Sequence, residues 1–313
     1  MKDADCITRY WHYADTQEDT LSEYIDGQQS RLSDELQEIL DHFQNIQLTG
    51  NVTRAEVNRL HRKIEQWQRS GYDVGEFKLI MRELNHRERI KGADVLLAYL
   101  FATFIGLYQP IMAETQKMFL DVSQEAYKRE FKSAQKITGK GRMNPPGEST
   151  IKGWLKSPIP SGGTFKNDMY ADAAYRARQF QKLISAEKQQ TNIPGRLGQR
   201  RPLDIDNEQY KKALKIQRSW ILRRSQHGAN KDNHSGQIDM YMAYVVSETV
   251  VRAFQDAGVK KYQFIATIDD RTTDACRSRH LKIYNMADIK IGINAPPIYP
   301  PYHPCRSIIT AVE

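Results

Sequence analysis

Four residues near the end of the chain have the chemistry to hold a metal ion: Cys276, His280, His303 and Cys305. They read as Cys-x3-His, a gap of 22 residues, then His-x-Cys. Two thiolates and two imidazoles are a donor set that closes a tetrahedral zinc site, and with all four positions taken by protein such a zinc would stabilise rather than hydrolyse. The spacing is not that of a standard finger. The two cysteines have two other fates open to them, as reduced and packed thiols or as a Cys276 to Cys305 disulfide formed outside the reducing cytoplasm.

Around these residues stand groups suited to holding turns. Asp269, Asp270, Arg271 and Thr272 precede Cys276, and Arg306 follows Cys305. Carboxylates at a strand end accept turn amides, and arginine offers a planar fork of donors to carboxylates or carbonyls, so a structural lock is expected here rather than catalysis.

A third set is electrostatic. Arg196, Arg200, Arg201, Lys211, Lys212, Lys215, Arg218, Arg223 and Arg224 form a basic run with few acids between them, in a chain with 46 Lys plus Arg against 38 Asp plus Glu. Phosphate neutralisation makes double-stranded DNA a candidate partner for this run, the alternative being a solvated or protein-binding face. Tyr210 and Trp220 lie among the charges and have the same two readings, stacking on bases or filling a core.

These groups need elements to position them. Leu36, Ile39, Leu40, Phe43 and Ile46 step by three and four, which predicts a helix over 32–47. Thr53 with Glu56 reads as a capping box for a second helix carrying Val57, Leu60, Ile64 and Trp67 and ending near Gly71. A third helical region is expected over 77–135, interrupted at Gly92 and Pro110. Its apolar run over 95–108 is shorter than the roughly 18 to 20 residues of a membrane span, so a core or interface helix is expected and membrane insertion is not. Gly and Pro crowd 138–164, predicting a linker with one short turn near Trp154. Helices then follow over 168–189, 207–226 and from Ile238 to Phe254, the last ending before Gly258.

After Gly258 the period changes to two. Tyr262, Phe264, Ala266 and Ile268 alternate as in a largely buried strand, and a β-branched run closes the chain over 307–312. The reading is α+β: long helices over 1–137, a Pro/Gly-rich linker over 138–165, a second helical region with the basic stretch over 166–257, and a small α+β domain over 258–313 that folds as a unit. No internal repeat is visible.

In order along the chain, Asp269, Asp270, Arg271, Thr272, Cys276, Pro296, Pro297, His303, Pro304, Cys305 and Arg306 resemble the closing segment of Mu F-like minor head proteins of tailed bacteriophages. In that family an Asp-Arg-Thr element after a strand is followed by cysteines, a Pro-Pro stretch and a His-Pro element with Cys-Arg. Ser247-Glu248-Thr249, in a helix that a short Gly-containing turn separates from the strand, is similar to the family as well. The resemblance covers 238–312, and the helical part before it carries no specific motif. Where many members have further cysteines this chain has Thr273 and Ser307, so a zinc site must draw on His280.

The resemblance implies a minor capsid protein at the portal vertex or head interior of the virion, assembled in the host cytoplasm. It would act in head morphogenesis and genome packaging or delivery by binding portal protein, scaffold or major capsid protein, and DNA. A nuclease or ADP-ribosyltransferase-like toxin, and a cellular zinc-stabilised nucleic-acid-binding protein, are the competing readings. No nucleophile elbow, P-loop, metalloprotease helix or dinucleotide fingerprint is present, and the array runs up to the last residues, so no enzyme and no appended effector domain are expected. Three cysteines and an amino-terminal segment without the order of a signal peptide predict synthesis in a reducing cytoplasm without export.

Overall fold

Apolar residues spaced three, four and seven apart place Ile25, Leu32, Leu36, Ile39, Leu40 and Phe43 on one buried stripe of a single helix, α1 (Lys2–Phe43). The computed structural model describes residues 2–71, 75–86, 89–160, 162–191, 202–222, 237–268, 272–298, 305 and 307–313. The helix begins 30 residues before the expected start because the sparse stripe of Leu21, Ile25 and Leu32 continues the period across a polar, glycine-containing stretch. It ends at Phe43, where the Lys188 ammonium donates to the carbonyls of Phe43 (2.6 Å) and Gln44 (2.8 Å). A cation on the last carbonyls satisfies acceptors that the helix itself leaves open.

The next helix, α2 (Arg54–Arg69), starts at Thr53, but the capping box does not form: Thr53 makes no side-chain cap bond. The Glu56 carboxylate instead meets His42 at 2.7 Å, and the other ring nitrogen of His42 lies 2.9 Å from the Arg59 guanidinium. Glu56 faces a side chain of α1 rather than the local amide.

After α3 (Gly75–His86) comes α4 (Gly92–Thr138), which runs through Pro110 without stopping. The expected interruption fails because Tyr108 and Ile111, on either side of the proline, are fully buried; tertiary packing offsets the one lost backbone bond. The most apolar 18-residue window of this helix has a mean hydropathy of 1.7, enough by length and composition to cross a membrane, and 72% of it is buried within the protein.

The Pro/Gly-rich segment contains a nine-residue helix, α5 (Glu148–Lys156), where only a turn was expected. Ile151 and Leu155, one turn apart, are its buried face. Then follow α6 (Phe165–Thr191), α7 (Glu208–Ile221) and α8 (Gln237–Asp256). The terminal segment adds β1 (Lys261–Ile265), α9 (Asp274–Arg277), β2 (Ile283–Asn285), a 3-10 turn over Met286–Asp288 and β3 (Ile308–Val312). The sheet is antiparallel throughout, in the order β2-β1-β3. The fold is therefore mostly helical with one small sheet near the end, an α+β arrangement as expected.

Residue contacts divide the chain into two units. One holds 1–23, 113–168 and 219–313, and the other holds 24–112 and 169–218. In the second unit a polar knot lies inside the helices. Tyr108 donates to Asp172, Arg176 reaches the same carboxylate at 3.1 Å, and Gln217 links Tyr108 (3.1 Å) to Gln29 (2.6 Å). Burial pushes the Asp172 carboxyl above its usual range, and Arg176 draws it back.

In the first unit, Tyr127, Phe131 and Ala134 of α4 and Val251, Phe254 and Ala257 at the end of α8 form one core with Tyr262, Phe264, Ile309 and Ala311 of the sheet. Residues 258–313 thus share their hydrophobic core with two helices from outside that segment. Tyr127 also closes the linker: its hydroxyl donates to Asp256 (2.5 Å) and accepts from the Asn144 amide (2.8 Å), and burial pushes the phenol up to about 12. Gly141 sits at φ +100°, against the Asp256 carbonyl where no Cβ fits.

Two glycines of this unit separate those constraints. Gly141→Ala should destabilise by about 2 kcal/mol or more, from the forbidden φ and the clash. Gly153→Ala, on the exposed side of α5 with open space around it, should stabilise by about 0.5–1 kcal/mol. Urea titration of both variants followed by circular dichroism checks the opposite signs.

Candidate functional site

The sheet brings together residues that are 29 positions apart in the chain. Past β1, the Thr272 hydroxyl donates to the Thr267 carbonyl. Thr273 then caps α9, accepting from the Cys276 amide at 3.3 Å. That short helix turns Cys276 inward, while Cys305, just before β3, points to the same place. Their sulfurs are 3.6 Å apart, and both residues are buried in the core shared by the sheet and the helices.

The proton between the sulfurs is unequally held. A hydrogen bond from Cys305 lowers the Cys276 thiol to about 5, against the opposing effect of burial, with Ser307 and Thr273 helping. The same bond and burial raise Cys305 well above the ordinary thiol range. The two thiols are coupled, their contact drawing Cys276 down and pushing Cys305 up.

A separation of 3.6 Å fits two corners of a zinc tetrahedron, for which bonds of about 2.3 Å place sulfurs roughly 3.8 Å apart. It fits equally a reduced, hydrogen-bonded pair. His280, the expected third ligand, has committed one ring nitrogen: Nδ1 accepts from the Ala266 amide at 3.1 Å and so continues the strand end. Only Nε2 remains for a metal. His303 lies outside the described residues, and among the described residues no group of three or more potential ligands converges.

Asp269, Asp270, Arg271 and Arg306, assigned by sequence to a turn lock, lie outside the described residues as well. A lock of that kind is made by Arg279, which sequence reasoning did not single out. Its guanidinium donates to the carbonyls of Ile293 (2.7 Å) and Ala275 (2.5 Å), tying α9 to the loop after the 3-10 turn. Asn294 continues the tie by accepting from the Lys290 amide (2.6 Å) and donating to the Asp288 carbonyl (2.9 Å). Nothing in the sequence distinguishes Arg279 from neighbouring Arg277; only the return of the loop at Ile293 does.

Of the basic run, Arg196, Arg200, Arg201, Arg223 and Arg224 lie outside the described residues. Lys211, Lys212 and Lys215 project from the exposed side of α7, with Lys211 3.2 Å from Asp206. Arg218 is engaged differently: its guanidinium makes two bonds to Asp26, at 2.5 and 2.9 Å. Tyr210 is core rather than a stacking platform, being 1% exposed, stacked on Phe180 and bonded to Glu187 at 2.7 Å. Its place at the buried side of an amphipathic helix decides between the two readings.

No family model matches this chain, and no curated protein or solved structure matches it.

Zinc ligation by the thiol pair predicts close to one equivalent of metal in the purified full chain, falling to background in Cys276→Ser and Cys305→Ser. Elemental analysis after growth with added zinc decides it. Content below about one-tenth of an equivalent leaves the pair as protein thiols, because structural zinc sites bind tightly.

Proposed function

We propose that the chain is a minor head protein of a tailed bacteriophage, held at the portal vertex or inside the head, which works by binding and not by catalysis. The observation that carries this reading is the ordered array from Asp269 to Arg306, whose Cys276 and Cys305 meet in the core behind the small sheet. Buried thiols and arginine-to-carbonyl ties suit a rigid cap rather than a reaction centre. Long helical faces in both units supply surfaces for portal, scaffold or major capsid protein. The exposed lysines of α7 supply a surface for DNA, where attraction to phosphates needs no sequence-specific contact.

Procapsids assembled from the products of neighbouring portal, scaffold and capsid genes should retain the chain through gradient purification, as read by immunoblot. Heads and isolated portal that carry none of it would overturn the assignment.

The DNA contact is tested separately. Replacing Lys211, Lys212 and Lys215 together by Ala should weaken binding to a labelled duplex. It should also reduce the dependence of log K on log salt by about 0.9 per lost phosphate contact. Arg218→Ala, which breaks the tie to Asp26, should instead lower the melting temperature. Fluorescence anisotropy over a salt series, with thermal melts, separates the two; an unchanged slope in the triple variant removes α7 from the DNA contact.

A further inference from the structure

β2 is an outer strand of the sheet, and no described strand pairs with its far side. The ladder has a definite phase. Phe264 N–H donates to the Lys282 carbonyl (2.9 Å) and Met286 N–H to the Lys260 carbonyl (2.9 Å), so residues 282, 284 and 286 face β1. In an antiparallel pair the alternate residues turn their amide and carbonyl away. Ile283 therefore presents its amide and carbonyl along the outer edge, and Asn285 its amide, the Asn285 carbonyl being used to start the 3-10 turn.

Beside that edge the chain displays apolar side chains. Leu281 and Ile283 are each 56% exposed, and Ile293 is 59% exposed. With Ile268, they make up half of the eight exposed large hydrophobics among the described residues. Arg279, two residues before Leu281, holds the carbonyl of Ile293, which brings that loop to the same turn.

Leu281 is the sharper observation. It has φ +63°, and no other non-glycine residue among those described is positive. A leucine in the left-handed region is strained, and glycine or asparagine is the usual occupant. Its backbone is fully used: the amide donates to Phe264 O (2.8 Å) and the carbonyl accepts from the Gln263 side chain (2.9 Å). The conformation is thus fixed by the sheet, and the strain serves neither a buried contact nor a hydrogen bond of the side chain. The sheet accounts for the backbone; what it does not account for is an exposed leucine, where glycine or asparagine would meet the same bonds without strain, and such an exposed apolar side chain suits a contact outside the chain.

The flanking charge indicates what makes that contact. Lys261 on β1, Lys282 beside Ile283 and Lys290 after the 3-10 turn are all exposed, against Asp288, which accepts from the Asn285 side chain. A two-fold pairing of β2 with its own copy would gather a second set of these lysines at the same seam, and like charges collected there are unfavourable. An edge built only to repel other strands would carry charge at 281 instead of a strained leucine.

We propose that the β2 edge docks an extended segment of a partner protein, apolar in the middle and acidic at its ends, which adds to the sheet as a fourth strand. Backbone bonds to Ile283 give the register, Leu281 and Ile283 cover alternate apolar side chains, and the lysines meet the acidic ends. This surface stands independently of the head-protein reading.

The probe is a fluorescein-labelled synthetic peptide of alternating valine and threonine with two aspartates at each end. The control has the same ends and prolines at every second central position, which cannot donate to a sheet. The full chain should bind the probe with micromolar affinity, bind the control at least about tenfold more weakly, and lose affinity with salt. Leu281→Asn and Ile283→Lys should each weaken binding about tenfold or more. Leu281→Asn should do so with a melting temperature equal to or above that of the parent, since asparagine accepts a positive φ. Hydrogen exchange at the Ile283 amide should slow when the probe is bound. Equal binding of probe and control, no binding, or binding unchanged in both variants overturns the proposal. So does a concentration-dependent dimer in analytical ultracentrifugation that Leu281→Asn abolishes, which would give the edge to a second copy of the chain.

Discussion

A carboxylate removed from water sets the terms for the unit that carries the basic helix. Asp172 on α6 is 5% exposed and is held by Tyr108 of α4 and Arg176 one turn along α6. Gln217 of α7 and Gln29 of α1 complete the set. An isolated buried charge is costly, and breaking such a group by removing one partner typically costs about 3–5 kcal/mol. Because every member comes with a direction as well as a distance, the network fixes where four helices face each other in a way that greasy contacts alone do not. The face of α7 that bears Gln217 is turned inward by it, and Lys211, Lys212 and Lys215 are thereby left outward.

The other unit is organised by a similar device placed nearer the surface. Tyr127 joins α4 to the end of α8 through Asp256 and to the linker through Asn144. The core next to it runs without a break from Phe131 and Phe254 into Tyr262, Phe264 and Cys276. The small sheet is accordingly one wall of a helical core, and a sheet of three short strands needs such backing to be stable. One consequence is that the thiol pair is both buried and rigidly framed. Another is that, among the described residues, no strand lies on the opposite edge, at β2, while the inner face is full.

The local geometry around the thiols follows the same logic of returns. His280 serves the Ala266 amide, Arg279 serves two carbonyls, and Thr273 serves the Cys276 amide. Each polar side chain satisfies a backbone group that a short, irregular segment cannot pair within itself. Residues with ligand or catalytic chemistry are thus spent on closing turns.

What the sequence determined by itself was the set of strongly periodic elements, each of which depends on near neighbours. Periods of three and four marked α2, α8 and the cores of α1, α4, α6 and α7, and the switch to a period of two at Gly258 marked β1, because a buried stripe is a local property of one element. The order of Asp, Arg, Thr, Cys, His and Arg residues in the terminal segment was legible for the same reason. Tertiary structure decided what depends on distant partners. It carried α4 through Pro110, gave Glu56 to His42 rather than to the Thr53 cap, and made Tyr210 core. It raised a three-residue β2 that has no pattern long enough to read and set Cys276 against Cys305. It also placed Leu281 at a positive φ, since a strand turning back on β1 leaves no other path to the bond with Phe264. Each of these is settled by a group far away in the chain that offers more than the local alternative, and no spacing along one strand of sequence records that competition.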